Sequence, residues 1–289
     1  MKILILQNRM GIGDMIMFLP FIEAISKKFK TPVTILAKKN TKVEMYFNNK
    51  EIVEEIMYLE REDNKKHSGV KGFFKLVNEL KLKKFDKVFI FNSSLRYFLI
   101  SKFSGIKEVF HYPLFKKKNQ QIIEAAKEFT LKSIGEDIES TPRLFLKEQD
   151  ILKAKKDHSI DQSITNIILG IGGSGKTKRV PASIFKSFMS KVLKRSNCRF
   201  FLMTGNNIDE LKIMDEIIES EYKEYCTPLN NFTIKEILPI IPNCQIAICN
   251  DSSFSHLSAG LGIKTIVLMV DTPLTVSYTH LTLPTRLPV

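Results

Sequence analysis

Three stretches of the sequence combine residue types that do chemistry. In the first, Arg9-Met10-Gly11-Ile12-Gly13-Asp14, two glycines let the backbone turn sharply and approach a ligand, and an acid follows at once. At a helix start the dipole would hold that carboxylate in its charged form, ready to accept a proton at neutral pH. The same position suits an ordinary N-cap aspartate, so the residues alone leave base and cap both open. A dinucleotide-binding fingerprint fits less well: the third glycine is missing, and Asp14 puts negative charge where a pyrophosphate would lie.

The second stretch, GIGGSGKTKR over residues 170–179, satisfies G-x-x-x-x-G-K-[ST] letter for letter. A nucleotide triphosphatase or kinase is therefore a rival reading, with Asp251 as its metal-binding acid. Pro181 opposes it. A P-loop helix begins at the Gly-Lys-Thr and must run on, and a proline inside it would cost about 3 kcal/mol. Pro181 fits better as the first residue of its own helix, which leaves an open loop around Ser174 and Lys178, rich in backbone amides and cations and suited to phosphates. In the third stretch, NDSSFSHLSAG over residues 250–260, small hydroxyl residues lead into a helix start, an anion-binding arrangement. There Asp251 could take ribose hydroxyls or cap the helix, and His256 could donate to a phosphate or simply pack in the core.

The elements that must position these stretches alternate regularly. The first half reads as strands over 2–6, 33–37, 52–59, 87–91 and 108–111. Helices fall over 16–29, 42–47, 71–82, 95–103 and 120–133. A polar run over about 140–163 serves as the linker. The pattern then restarts, with strands over 166–169, 199–203, 245–249 and 265–270, and helices over 181–194, 208–220, 233–241 and 256–261. Apolar strands alternating with helices mean a parallel sheet covered on both faces, in the right-handed, Rossmann-like sense. The chain is thus expected to be α/β, with one doubly wound domain over 1–145 and a second over 164–275. Ligands would lie in a cleft at the carboxyl ends of the two sheets. Residues 276–289, with VSYTHLTLPTR, have no such period and resemble translated adapter sequence. They read as a non-native tail on a truncated second domain, and His280 carries no function.

Composition narrows the partners. Apolar residues make up 44% of the 289 and charged residues 26%, an ordinary globular balance. No run is long enough to span a bilayer, and the apolar start is too short for a signal peptide. Four cysteines without metal-ligand spacing read as reduced thiols in a cytoplasmic protein. The net charge of +13 is uneven: residues 1–160 hold 31 Lys/Arg and 20 Asp/Glu, residues 161–289 hold 13 and 11. The basic half suits an anionic partner such as a phosphorylated acceptor or a membrane surface, or is a solvated lysine surface. No nucleic-acid-binding module is recognisable.

Taken in order, these segments resemble glycosyltransferase family 9, the ADP-heptose:lipopolysaccharide heptosyltransferases of GT-B fold. The carriers are KILILQNRMGIGDMIMFLPFIEAI (2–25), NNKEIVEEIMYL (48–59), LKLKKFDKVFIF (80–91), SLRYFLISKFSGIKEVFHY (94–112), Lys178-Arg179-Val180-Pro181 and NDSSFSHLSAGLGIKTIVL (250–268). The likeness covers about residues 1–275. It implies that Asp14 deprotonates the acceptor hydroxyl, which attacks and inverts the anomeric carbon. Lys178, Ser252, Ser253 and His256 would hold the diphosphate, with Ser174 in the same loop, and Asp251 would contact the donor. Gly13, Lys39 and Arg96 are the candidates for the acceptor side. No metal and no cofactor are expected; the donor is a nucleotide-sugar, ADP-heptose by the resemblance, and the acceptor a phosphorylated, lipid-linked glycan. The protein would work in the cytoplasm, in peripheral contact with the inner face of the membrane. Val180 stands where the family has an aromatic residue and Ser253 where it has glycine, and both bear on donor identity. A non-catalytic nucleotide-sugar-binding protein is the remaining alternative.

Overall fold

A computed structural model describes residues 1–47, 49–114, 121–173 and 175–270. The chain divides into two compact units, the first Met1–Thr141 and the second starting at Pro142.

The first unit runs β1 (Ile3–Leu6), α1 (Ile12–Phe29), β2 (Val33–Ala37), β3 (Val53–Tyr58), α2 (Gly69–Lys83), β4 (Lys87–Ile90), α3 (Leu95–Phe103), β5 (Glu108–His111) and α4 (Ile122–Ile134). Its five strands are all parallel, in the order β3-β2-β1-β4-β5. The central strands carry unbroken apolar runs because both faces are covered: every residue of β1 and β2 is buried. On one face Leu4, Leu6, Leu36, Val88 and Ile90 pack on α2 and α3. On the other, Phe91 meets Phe18 of α1 at 5.2 Å and Phe129 of α4 at 5.0 Å, ring centre to ring centre.

The second unit runs α5 (Glu148–Asp157), β6 (Thr165–Gly170), α6 (Ala182–Leu193), β7 (Cys198–Met203), α7 (Ile208–Ile218), β8 (Cys226–Pro228), α8 (Ile234–Ile237), β9 (Ile246–Asn250), α9 (Ser253–Gly260) and β10 (Lys264–Leu268). Its parallel sheet has the order β10-β9-β6-β7-β8, the same Rossmann-like topology as the first. Ile167, Leu169, Phe200 and Leu202 pack on Phe185 and Met189 of α6 and on Met214 and Ile217 of α7.

The expected elements and the observed ones differ in six places, one of them α9, expected from His256 and starting three residues earlier at Ser253. Helix α1 starts at Ile12, four residues before the expected start, which brings Asp14 inside it. The helix expected over 42–47 is only a 3₁₀ turn, Val43–Met45. The expected linker contains α5, whose Ile151 carbonyl accepts a hydrogen bond from Asn243 at 3.1 Å. The helix expected over 233–241 ends at Ile237: Leu238 keeps helical angles, but Pro239 has no amide to continue the hydrogen-bond ladder. The three-residue edge strand β8 is absent from the sequence reading. The tail over 276–289 lies outside the described residues.

Candidate active site

In a doubly wound sheet the crevice opens at the carboxyl ends of the strands, where the strand order reverses. In the first unit that point lies between β1 and β4. Gly11 caps α1 with φ 100°, a left-handed conformation open to glycine and strained for other residues. Gly13 and Asp14 follow as the second and third residues of the helix, so the capping explanation for Asp14 is corrected: the N-cap is Gly11. Asp14 lies in the first turn, 26% exposed, with its Oδ1 3.7 Å from Nη1 of Arg9. Asn92, after β4, donates to Asn8 Oδ1 at 2.8 Å and ties the two turns together. At the same edge Gln7 is fully buried with neither amide atom paired, an arrangement that costs about 1–3 kcal/mol per group unless something binds it. Lys39 is exposed in a 3₁₀ turn just past β2.

Arg96 has a different occupation from the one expected. Its Nη2 donates to the carbonyls of His67 at 3.0 Å and Gly69 at 2.9 Å, and its guanidinium lies 5.3 Å from the Phe73 ring centre. Burial, then nearby Arg61, push its pKa down. It serves as a clamp on the turn leading into α2.

In the second unit the reversal lies between β6 and β9, and here two of the sequence motifs meet. Asn250, at the end of β9 and fully buried, donates through Nδ2 to the Ile171 carbonyl at 2.7 Å and accepts from the Val180 amide at 3.3 Å. Both ends of the loop after β6 are thereby fixed. Lys178 reaches across to Asp251, Nζ to Oδ2 2.6 Å, with Asp251 almost wholly buried. Ser252 is the N-cap of α9 and Ser253 its first residue, while His256 is buried one turn further on. The Ser252 Oγ and, past β7, the Thr204 Oγ1 are shielded from solvent without a hydrogen-bond partner. The carboxyl end of the sheet thus brings together an ammonium group, the N-terminus of α9 and two buried, unmatched hydroxyls, and the ammonium and helix N-terminus suit a diphosphate. Ser174 lies outside the described residues.

The P-loop reading does not hold. Residues Lys176–Lys178 form a single 3₁₀ turn, Arg179 is extended, and α6 begins only after its N-cap, Pro181. Two residues of this region escape the sequence reading. The buried Glu210 carboxylate accepts the amides of Gly173 at 3.2 Å and Gly205 at 2.6 Å, joining the loops after β6 and β7. A side chain on Gly172 would come within 2.9 Å of that carboxylate, which explains the glycine. Arg179, its side chain 6% exposed, pairs with Asp209 at 3.2 Å and approaches Glu210 at 3.9 Å. The spacing Asn207-x-x-Glu210 is the only sequence signal for this clamp, and it points to a capping box. The glutamate reaches past its own helix instead.

Solved structures share this pair of Rossmann-like units. A family 9 glycosyl transferase from Veillonella parvula aligns over 100% of this chain and 88% of its own, with TM-score 0.74 and 17% identity. E. coli ADP-heptose lps heptosyltransferase II aligns over 93% and 84%, with TM-score 0.70 and 18% identity. E. coli heptosyltransferase WaaC with ADP aligns over 94% and 88%, with TM-score 0.68 and 15% identity. At such identities the likeness establishes the fold, which is that of GT-B glycosyltransferases. No curated protein matches the chain. A family model described as glycosyltransferase family 9 (heptosyltransferase) matches residues 110–277, more than half of the sequence. The chain therefore belongs to glycosyltransferase family 9, and it is a glycosyltransferase.

Proposed function

We propose that the protein transfers a heptose from a nucleoside-diphosphate heptose, such as ADP-heptose, to a lipopolysaccharide core or related lipid-linked glycan, with inversion at the anomeric carbon. The observation that carries this, beside the family, is the Lys178–Asp251 pair at the N-terminus of α9. In this mechanism the donor diphosphate lies against Lys178, Ser252, Ser253 and the α9 amides, with Ser174 and His256 nearby. Asp251 orients Lys178 and contacts the donor. Gly13, Lys39 and Asp14 belong to the acceptor side. Asp14 takes the proton of the acceptor hydroxyl as its oxygen bonds to the anomeric carbon; the bond from that carbon to the diphosphate oxygen breaks, and nucleoside diphosphate leaves. Lys178 and the helix N-terminus supply the positive charge that the leaving group needs, so no metal or cofactor takes part.

The reaction would take place at the inner face of the cytoplasmic membrane. Among the described residues no helix is long and apolar enough to cross a membrane, so the contact proposed is peripheral. Release of nucleoside diphosphate, measured in the presence of a chelator, should require both the heptose donor and a glycan acceptor. Donor binding without release on any acceptor would favour a nucleotide-sugar-binding protein instead, and release only with added magnesium would overturn the metal-free mechanism.

A further inference from the structure

The outer faces of α2 and α3 leave large apolar side chains in water. Val70 is 73% exposed, Phe74 58% and Phe103 64%, and on α3 Leu95 is 50% and Leu99 36% exposed. The spacing is regular: Val70 and Phe74 are one turn apart on α2, and Leu95, Leu99 and Phe103 follow at one-turn steps on α3. The two stripes join through Phe73, whose ring centre is 5.2 Å from that of Phe74 and 6.0 Å from that of Phe103. Monomers rarely leave such a contiguous patch open without a use for it.

The charge around the patch is one-sided. Residues 69–107 hold nine lysines and arginines against two acids, Glu79 and Asp86. Both acids are engaged, Glu79 by Lys66 and His67 and Asp86 by the Lys2 amide. Lys71 and Lys75 on α2, and Lys102 on α3, are exposed. Arg96 is turned to the loop carbonyls and does not contribute.

We propose that this α2–α3 face docks on an anionic phospholipid bilayer, with Val70, Phe74 and Phe103 entering the headgroup boundary and Lys71, Lys75 and Lys102 meeting lipid phosphates. Charge complementarity selects this occupant. Protein interfaces are depleted of lysine, whereas a lysine-flanked apolar stripe is the pattern of interfacial membrane helices. A second copy meeting the patch symmetrically would set the same lysines against each other. The purpose of the surface rests on the lipid-borne acceptor proposed above; its existence does not.

Co-sedimentation of the full chain with vesicles tests it. The wild-type protein should pellet with phosphatidylglycerol-containing vesicles, stay in solution with pure phosphatidylcholine, and be released as salt rises from about 0.05 M to about 0.5 M. Phe74→Ser with Phe103→Ser, and separately Lys71→Glu with Lys75→Glu, should each weaken binding at least roughly tenfold. The thermal unfolding midpoint and transfer to a water-soluble acceptor should stay unchanged. Equal binding to phosphatidylcholine, or unchanged binding by both variants, overturns the proposal. So does a dimer seen by light scattering that the variants break while the wild-type protein ignores vesicles. Vesicle binding without sugar transfer would leave the docking surface standing and remove the proposed reaction.

Discussion

Asp251 is almost wholly buried, and Lys178 supplies a counter-charge 2.6 Å from it. Removing that ammonium by Lys178→Ala leaves a desolvated carboxylate less well matched, at a cost of about 1–3 kcal/mol. Adding Asp251→Asn to the same chain should recover part of the loss, because the charge that needed matching is gone. Urea unfolding of the two single variants and the double measures the coupling; strict additivity would mean that the pair does not interact. Nucleoside-diphosphate affinity should fall in every variant lacking Lys178. At this scale the sequence was informative. Lys178 and Asp251 lie 73 positions apart, yet each stands in a recognisable turn after a strand. Glu210 was not visible, because it acts through backbone amides of two other loops, and amides leave no mark on a sequence.

The loops after β6 and β7 are elements held by one carboxylate. Glu210→Ala would strip the acceptor from the Gly173 and Gly205 amides. The expected result is a loss of about 1–3 kcal/mol and weaker nucleotide binding, read by denaturation and calorimetry; wild-type stability in that variant would exclude the clamp. A second loop, between β3 and α2, is fastened by Glu79. Burial pushes its carboxyl up, but hydrogen bonds from Lys66 and His67 outweigh this and hold it below the ordinary range. A lowered folded-state pKa means stability present above the unfolded value and lost as pH falls through the folded one. The stability difference between wild type and Glu79→Gln should therefore be largest near neutral pH and shrink in acid below the folded-state pKa. A difference independent of pH would rule out the ionic fastening. Buried central strands were legible because unbroken apolar runs such as Ile3–Leu6 have few alternatives. The amphipathic helices were also legible. By contrast, α5 has only Ala154 buried and so no apolar stripe to reveal it, while Pro239 cuts the helix that apolar spacing alone suggests over 233–241.

Across the whole molecule, the excess positive charge of the first 160 residues becomes interpretable once the side chains have positions. The sequence suggested Arg96 and Lys39 as anion contacts, but Arg96 is spent on two carbonyls. Exposed lysines of α2 and α3 share those helices with exposed apolar side chains. The doubly wound topology repeats in both units, and each puts one of the proposed functional turns at its strand-order reversal: Asp14 after β1, and Lys178 with Asp251 after β6 and β9. Asp14 is the proposed base, and Asp14→Asn probes that role. This near-isosteric change removes proton acceptance and preserves shape. Turnover with donor and acceptor should fall by at least about 100-fold while the dissociation constant for nucleoside diphosphate stays within about twofold of wild type. Wild-type turnover in Asp14→Asn would exclude Asp14 as the base.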